Sequence, residues 1–341
     1  MLDEPHRRGG SAVHLDAIKN RLRRHELAYR LAKNAYRLLL GGGASRNHRT
    51  VVDVLDLDDQ LAKLEEAHRD DHVKLREQLA HIVFELPDAR GLSRLDPFSA
   101  AYASGVRDLY ARLATKPYDV SNEGFAGDDV NQRARWQTPY GQPATVVGQF
   151  LIAYGFLLKI ADVPLGAHVL EVGCGEGSLS YVLAKMGYDL TCVDASEQFV
   201  RITEAATFGL ETERTHVRVV HGDVAALSIE RPIDAVIFFE SFHHIFDHAK
   251  VLETLRRKIT PGGVMVFAGE PIVDAECDVL PYPWGPRLDG ESLRAIRRFG
   301  WMELGFTEKY FFELLRRSGL RAERFHAKDS YLADVVLARP R

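Results

Sequence analysis

The 341-residue sequence predicts an α/β fold, in which a helical N-terminal region precedes a seven-stranded, mostly parallel sheet with an antiparallel last strand. Three observations lead to this prediction. Short β-branched segments alternate with helical stretches from about residue 140 onward, the order that builds parallel sheets covered by helices. Glycines recur at alternate positions after the first such segment. Two apolar segments joined by a close turn end the chain, which makes the last strand antiparallel.

Seven segments have the composition of strands. Five of them follow one another at 168–172, 189–194, 216–223, 233–240 and 263–270. The helical stretches between them lie at 178–187, 197–208 and 247–259. The last two strands lie within 321–340, after a helix for which Thr307 is the predicted N-cap and Gly319 the stop.

Residues 1–135 are predicted to form a helical region that serves oligomerisation as a coiled coil, or acts as a lid. Residues 15–40 place leucine and isoleucine at helical spacing and carry mostly basic polar side chains. Residues 58–86 are predicted to form a second, acidic helix with a partial heptad repeat. Their opposite charges would let the two helices pair within one chain or across a homodimer. For the basic helix we expect a solvated face rather than contact with a membrane.

Composition narrows the possible partners and compartments. The formal net charge is −4, so no global basic field is available to hold nucleic acid. The three cysteines show neither metal-site nor disulfide-framework spacing, and the charged first residues do not resemble a signal peptide, so a cytoplasmic location is expected. The apolar stretch 146–163 is interrupted by Gln149 and Lys159 and is predicted to be a buried helix.

The segment "VLEVGCGEG" at 169–177 combines a strand, a tight turn and the start of a helix. Its three glycines let the backbone approach a nucleotide at the end of the strand. A dinucleotide loop would have the spacing G-x-G-x-x-G, and Glu176 would repel a pyrophosphate at the helix start. Glu171, inside the strand, suits a ligand with an amino group. The loop therefore favours S-adenosylmethionine (SAM) over a dinucleotide.

The same segment resembles the first motif of class I SAM-dependent methyltransferases, and later segments match this family in order between about residue 140 and residue 341. The resemblance implies a Rossmann-like fold with SAM as the cofactor. It also implies that Asp194 binds the ribose hydroxyls, that Asp223 accepts from the adenine amino group, and that "PGGVMVF" at 261–267 leads into the fifth strand. The implied cofactor-binding residues are Glu171, Gly173, Cys174, Gly175, Gly177, Asp194, Ala195, Asp223, Val224 and Tyr140.

Acidic and histidine side chains follow the fourth strand, in "FFESFHHIFDH" at 238–248. SAM carries its own leaving group, so an enzyme must position the acceptor and remove a hydroxyl proton. His244 is the predicted general base, because a neutral imidazole with a pKa of about 6.5 is available at neutral pH. His243 and Glu240 are the next candidates. Alternatively, the histidines only form the floor of the SAM pocket; a metal held by His244 and His248 is not expected.

The long segment 270–306 is predicted to be a lid over the acceptor. Its aromatic side chains can stack on a ring, and its arginines can pair with phosphate or carboxylate. The predicted acceptor-binding residues are Tyr282, Trp284, Arg287 and Trp301. This combination suits a sugar or a glycosylated acceptor. The alternative is that the tryptophans belong to the core and the arginines to a solvated helix face.

Residues 136–341 are thus predicted to form a domain that transfers a methyl group to a hydroxyl of a small or glycosylated molecule, in polysaccharide or secondary-metabolite synthesis. Three alternatives remain open. In the first, the chain is an N- or C-methyltransferase that acts on another small molecule. In the second it is a scaffold that binds SAM, and in the third an NAD-dependent oxidoreductase.

Overall fold

The computed structural model describes residues 50–341 except 125–129, 136, 214 and 331. The basic helix predicted at 15–40 lies outside the described residues. The described chain begins with short helices and a two-stranded parallel ribbon. These elements are β1 (Thr50–Asp53), α1 (Leu57–Ala67), α2 (His72–Ala80), β2 (Ile82–Glu85), α3 (Ala100–Ala114) and α4 (Val130–Arg135).

The prediction of one continuous acidic helix over 58–86 is wrong. The helix is interrupted after His68, and α2 begins where the Asp71 side chain accepts a hydrogen bond from the Lys74 amide at 3.0 Å. The segment then ends in β2, which pairs with β1. Leu61 and Leu79, which contributed to the heptad pattern, are buried in the core of this chain rather than against a partner helix.

The remaining elements form the main sheet and its covering helices. They are α5 (Ala144–Ala161), β3 (His168–Val172), α6 (Ser178–Met186), β4 (Asp189–Asp194), α7 (Glu197–Thr207), β5 (Val217–His221), β6 (Ile233–Phe239), α8 (His248–Arg256), β7 (Ile259–Ala268), β8 (Ile272–Val273), β9 (Trp284–Pro286), α9 (Gly290–Arg294), β10 (Leu304–Thr307), α10 (Glu308–Arg317), β11 (Leu320–His326) and β12 (Asp334–Pro340).

The seven-stranded sheet has the order β11-β12-β7-β6-β3-β4-β5, and β12 runs antiparallel to both of its neighbours. This confirms the predicted fold class. All five residues of β3 are buried, as expected for a central strand covered on both faces. The chain leaves β3 toward β4 and β5 and returns to β6 on the other side. The carboxyl ends of β3 and β6 therefore flank the switch point at which open α/β sheets bind ligands.

The segment 270–306 is a folded part of the molecule rather than a simple lid. It contains β8, β9, α9, a π-helical turn at Ala295–Phe299 and the beginning of β10, and its strands pair in the order β8-β10-β9. Helix α3 packs against it: the Tyr102 hydroxyl donates to the Trp284 carbonyl at 2.6 Å, and the Tyr110 hydroxyl donates to the Gly300 carbonyl at 2.6 Å. One hydrophobic core thus includes residues from both sides of position 135.

Helix α5 covers one face of the sheet with Ala153, Tyr154 and Leu157. Its other face carries Leu151 and Ile152, with 48% and 40% of their surface exposed, so the predicted burial holds for one side only. By length and composition this helix would pass as a membrane span, which is weak evidence because core helices share those properties.

Candidate functional site

The glycine loop after β3 adopts a backbone that a side chain would disturb. Gly173 has φ of +70°, and a Cβ atom added there would lie 2.5 Å from the Ser241 Cβ. Ser241 follows β6, and its hydroxyl donates to the Val172 carbonyl at 2.6 Å. The ends of β3 and β6 therefore pack so closely that the turn between them requires glycine.

Two acidic residues extend the site along the sheet. Asp194 ends β4, and its carboxylate accepts hydrogen bonds from the Gly175 and Ser196 amides, both at 2.9 Å. Burial raises the pKa of Asp194, although these two backbone donors oppose the shift. Asp223 follows β5 and accepts from the Ala225 amide at 2.8 Å. Both residues line the same cavity, and their predicted ribose and adenine contacts stay a prediction.

A cavity of about 640 Å³ covers the carboxyl ends of β3, β4 and β6. Its floor includes six of the predicted cofactor-binding residues, namely Gly173, Gly175, Asp194, Ala195, Asp223 and Val224. Its roof comes from segment 107–124 and from Trp301. The cavity is therefore closed by parts of the chain that precede and follow the sheet.

Four predicted cofactor-binding residues are not among the described residues that line this cavity: Glu171, Cys174, Gly177 and Tyr140. The Glu171 carboxylate accepts from the Ser180 hydroxyl at 2.6 Å, beneath the loop, and burial raises its pKa to about 7. Cys174 is buried against Thr203, and Gly177 caps α6 at φ +76°. Glu171, Cys174 and Gly177 shape the loop from below, and direct contact of these residues and Tyr140 with the cofactor stays a prediction.

His244 lines the cavity from the short helical turn after β6. Its Nδ1 lies 3.2 Å from a carboxylate oxygen of Glu123, a contact that is electrostatic rather than a well-aligned hydrogen bond. Burial alone would lower the pKa of His244, but the charge of Glu123, with help from Glu303 and Glu270, raises it to about 9. The cofactor-free imidazole is therefore protonated at neutral pH, which corrects the expectation of a neutral ring.

His243 lies behind His244 and is not among the described residues that line the cavity. Glu270 accepts hydrogen bonds from the Ser241, Phe242 and His243 amides and contacts the His243 Nδ1 at 2.8 Å. Burial and the neighbouring His244 lower the pKa of His243. The pair His243–Glu270 thus holds the turn that presents His244.

Glu240 lies at the end of β6, on the cavity wall, with φ of +50°. Burial, followed by the charge of Glu270, raises the pKa of Glu240 to about 7, although the charges of Arg76 and Arg287 oppose the shift. A carboxylate in this place suits a cationic ligand.

Of the predicted acceptor-binding residues, Trp301 alone is among the described residues that line the cavity. Tyr282 and Trp284 are buried in the core, where the Trp284 ring nitrogen donates to the Pro97 carbonyl at 2.9 Å. Arg287 pairs with Glu303. Because Tyr282 and Trp284 are packed in the core, the structure does not support their predicted contact with an acceptor ring.

The geometry of His248 also does not suit a metal shared with His244. The His248 Nδ1 donates to the Ile245 carbonyl at 3.2 Å, so its neutral Nε2 accepts from the Tyr310 hydroxyl at 2.7 Å. The ring is buried in an aromatic cluster and has no nitrogen left for an ion beside His244.

Several residues that line the cavity were not predicted from the sequence. Tyr118, Glu123 and Gly124 line the cavity opposite the glycine loop. Their segment is held in place by the Trp301 ring nitrogen, which donates to the Gly124 carbonyl at 3.2 Å. The polar run "SNEG" at 121–124 was the available signal, but nothing in sequence spacing relates it to His244.

The chain is similar in part to known methyltransferases. A family described as a methyltransferase domain matches residues 170–267. A ubiquinone biosynthesis O-methyltransferase of Caulobacter sp. (strain K31) is 34% identical over 105 residues, which are 30% of this chain and 40% of that protein. One of the same name from Xylella fastidiosa (strain 9a5c) is 29% identical over 152 residues, which are 43% of this chain and 60% of that protein.

A crystal structure of an S-adenosylmethionine-dependent methyltransferase from Mesorhizobium loti superposes with a TM-score of 0.45 at 20% identity, covering 54% of this chain and 95% of that one. The chain spans about half the length of the curated relatives described above.

Proposed function

We propose that this chain, which contains a class I SAM-dependent methyltransferase domain, transfers the methyl group of SAM to a hydroxyl oxygen of a small molecule. One observation carries the proposal: a single cavity of about 640 Å³ joins the glycine loop, Asp194, Asp223 and His244. The first three account for nucleotide binding at the switch point of the sheet. His244 supplies a group that can handle a proton beside the transferred methyl.

The acceptor side of the cavity supports a compact acceptor with an apolar or aromatic body. Beyond the cofactor residues, the lining includes the rings and aliphatic side chains of Tyr118, Val120, Ile245, Phe246 and Trp301, together with the charged side chains of Arg107, Asp108 and Asp247. Because Tyr282, Trp284 and Arg287 lie away from it, the features that suggested a sugar do not contribute. The curated relatives described above are O-methyltransferases by name, and this supports oxygen as the atom methylated here.

The residues divide the work as follows. SAM, when bound, supplies an activated methyl group on a sulfonium, and the acceptor oxygen must approach it in line. Asp194 and Asp223 would hold the nucleoside, which fixes the direction of the methyl group. Neutral His244 would take the hydroxyl proton as the oxygen attacks.

The first prediction tests the cofactor site. Asp194→Asn should weaken SAM binding by about 1–3 kcal/mol. The neutral asparagine side chain cannot make the two charge-assisted hydrogen bonds that the carboxylate would accept from the ribose hydroxyls. Isothermal titration calorimetry measures this. Glu211→Gln, on the loop before β5, is the charge-matched control and should bind SAM like the parent. Equal affinity for SAM in Asp194→Asn and the parent would refute the assignment.

Methyl transfer itself is tested with methyl-labelled SAM and paired hydroxy-aromatic compounds. Each free hydroxyl is compared with its methyl ether and with the corresponding amine. Labelling of the hydroxyl compound alone supports the proposal. Labelling of the amine alone would instead assign N-methylation, and SAM binding without labelling of any acceptor in a broad panel would favour a SAM-binding scaffold.

A further inference from the structure

Glu123 joins three parts of the chain at the cavity. One carboxylate oxygen accepts a hydrogen bond from the Met302 amide at 2.7 Å. The other lies 3.2 Å from the Nδ1 of His244. The Glu123 side chain is 14% exposed, so little solvent screens its charge. It belongs to the segment that roofs the cavity, whereas His244 belongs to the turn after β6.

The other groups around His244 do not provide this contact. Glu303 and Glu270 act on it through their charge, but their short contacts are with Arg287 and His243. The His243 ring lies 4.2 Å from the His244 ring, centroid to centroid, and Trp301 presents an edge at 6.0 Å. Asp194 lies further along the floor, where its carboxylate faces two backbone amides. Tyr118 donates to the backbone carbonyl of His244 at 3.3 Å.

The charge of Glu123 favours one tautomer of the neutral imidazole. With an ionised carboxylate oxygen 3.2 Å from Nδ1, hydrogen on Nδ1 is stabilised electrostatically. Nε2 is then left as the nitrogen that exchanges a proton with a bound acceptor.

We propose that Glu123 is the positioning residue of His244, which it holds with Nδ1 protonated so that Nε2 takes the acceptor proton. This inference rests on the proposed function. In the step, the acceptor O–H bond breaks and its proton moves to Nε2. The oxygen forms a bond to the methyl carbon, and the electrons of the carbon–sulfur bond remain on sulfur, leaving the neutral thioether. Glu123 stabilises the imidazolium formed, as does the carboxylate in other carboxylate–histidine pairs.

The raised pKa of His244 agrees with this geometry. A base that is stabilised in its protonated form accepts a proton more readily, which lowers the barrier of the step. It is also protonated at neutral pH in the cofactor-free protein, so the rate should increase with pH until the imidazole is neutral.

Glu123→Gln separates the effect of the Glu123 charge on His244 from the hydrogen bond by which Glu123 supports the roof of the cavity. The glutamine oxygen still accepts from the Met302 amide, but the negative charge is lost. In the cofactor-free protein the pKa of His244, followed by NMR of the labelled imidazole, should fall by more than one unit from its value near 9, because burial then dominates. The rising limb of kcat against pH should move to lower pH, with kcat on its plateau reduced roughly 10–100-fold and KM for SAM within about twofold.

Asp119→Asn is the matched control. It removes the same charge four residues away, where the side chain is exposed and accepts from the Ser121 amide, a contact that asparagine preserves. Both the pKa of His244 and the rate profile should stay as in the parent. An unchanged His244 pKa in Glu123→Gln would overturn the inference. So would a Glu123→Gln variant that is active and whose rise of kcat with pH occurs at the same pH as in the parent. The NMR titration needs no acceptor, so failure of the proposed methyl transfer is seen separately, as absence of product in the parent.

Discussion

The cavity places a cationic side chain and an acidic one in the same confined volume. The charge of Glu123 favours His244 as an imidazolium, while burial raises the pKa of Glu240, on the wall after β6, to about 7. SAM carries a positive sulfonium, and its demethylated product carries a neutral thioether. At the scale of single residues, SAM and its product should therefore differ in how strongly they lower the pKa of His244.

This difference predicts proton release on SAM binding. The sulfonium repels the imidazolium, so it should lower the pKa of His244 from about 9. At pH 8 the free protein is mostly protonated at His244 and Glu240 is mostly ionised, so SAM should displace a proton from the imidazole. Calorimetry in two buffers of different ionisation enthalpy should show release with SAM, clearly less with S-adenosylhomocysteine, and little in His244→Gln. Equal release for both ligands would contradict the prediction.

At the scale of elements, the site depends on how closely the ends of β3 and β6 approach. The Ser241 hydroxyl binds the Val172 carbonyl, and Gly173 lies directly against the Ser241 side chain. The turn before α6 thus has no room for a side chain at this point. Helix α6 itself begins at Gly177 with φ of +76°.

Gly173→Ala should accordingly reduce stability and SAM binding by more than the strain of its positive φ alone would cause. The new Cβ would lie 2.5 Å from the Ser241 Cβ, so we expect a loss of about 1–3 kcal/mol in stability and at least roughly tenfold weaker SAM binding. Gly166→Ala is the control: its φ is +80° but nothing lies within 4 Å of its added Cβ. It should lose stability through its backbone alone and keep SAM affinity. Thermal unfolding and calorimetry distinguish the two, and normal SAM affinity in Gly173→Ala would count against the packing argument.

At the scale of the whole molecule, α3 and segment 270–306 belong to the same core as the sheet. The division into a region 1–135 and a domain 136–341 stays a prediction, as does a homodimer. A shared core nevertheless implies that residues 50–341 unfold together, since neither part buries its apolar surface alone.

Urea denaturation should therefore show one transition that coincides by tryptophan fluorescence and far-UV circular dichroism. Tyr110→Phe removes the hydroxyl that donates to the Gly300 carbonyl between the two parts. It should lower the free energy of unfolding by about 1–2 kcal/mol, equally by both probes, because a buried acceptor loses its donor. Two separated transitions, with Tyr110→Phe affecting one of them, would instead support an independent N-terminal module.

The amino-acid sequence by itself determined the sheet, the glycine loop and the acids at the strand ends. Strands β3 and β4 have the bounds that their composition predicts, and Thr307 and Gly319 flank α10 as expected. Glycine spacing and strand-end acids are local signals, since a ligand at the carboxyl edge contacts residues that directly follow the strands. The proposed acceptor side was decided by tertiary structure alone. Tyr282 turned inward and Glu123 came to lie against His244 because segments distant in sequence share one core, and no local pattern records such a contact.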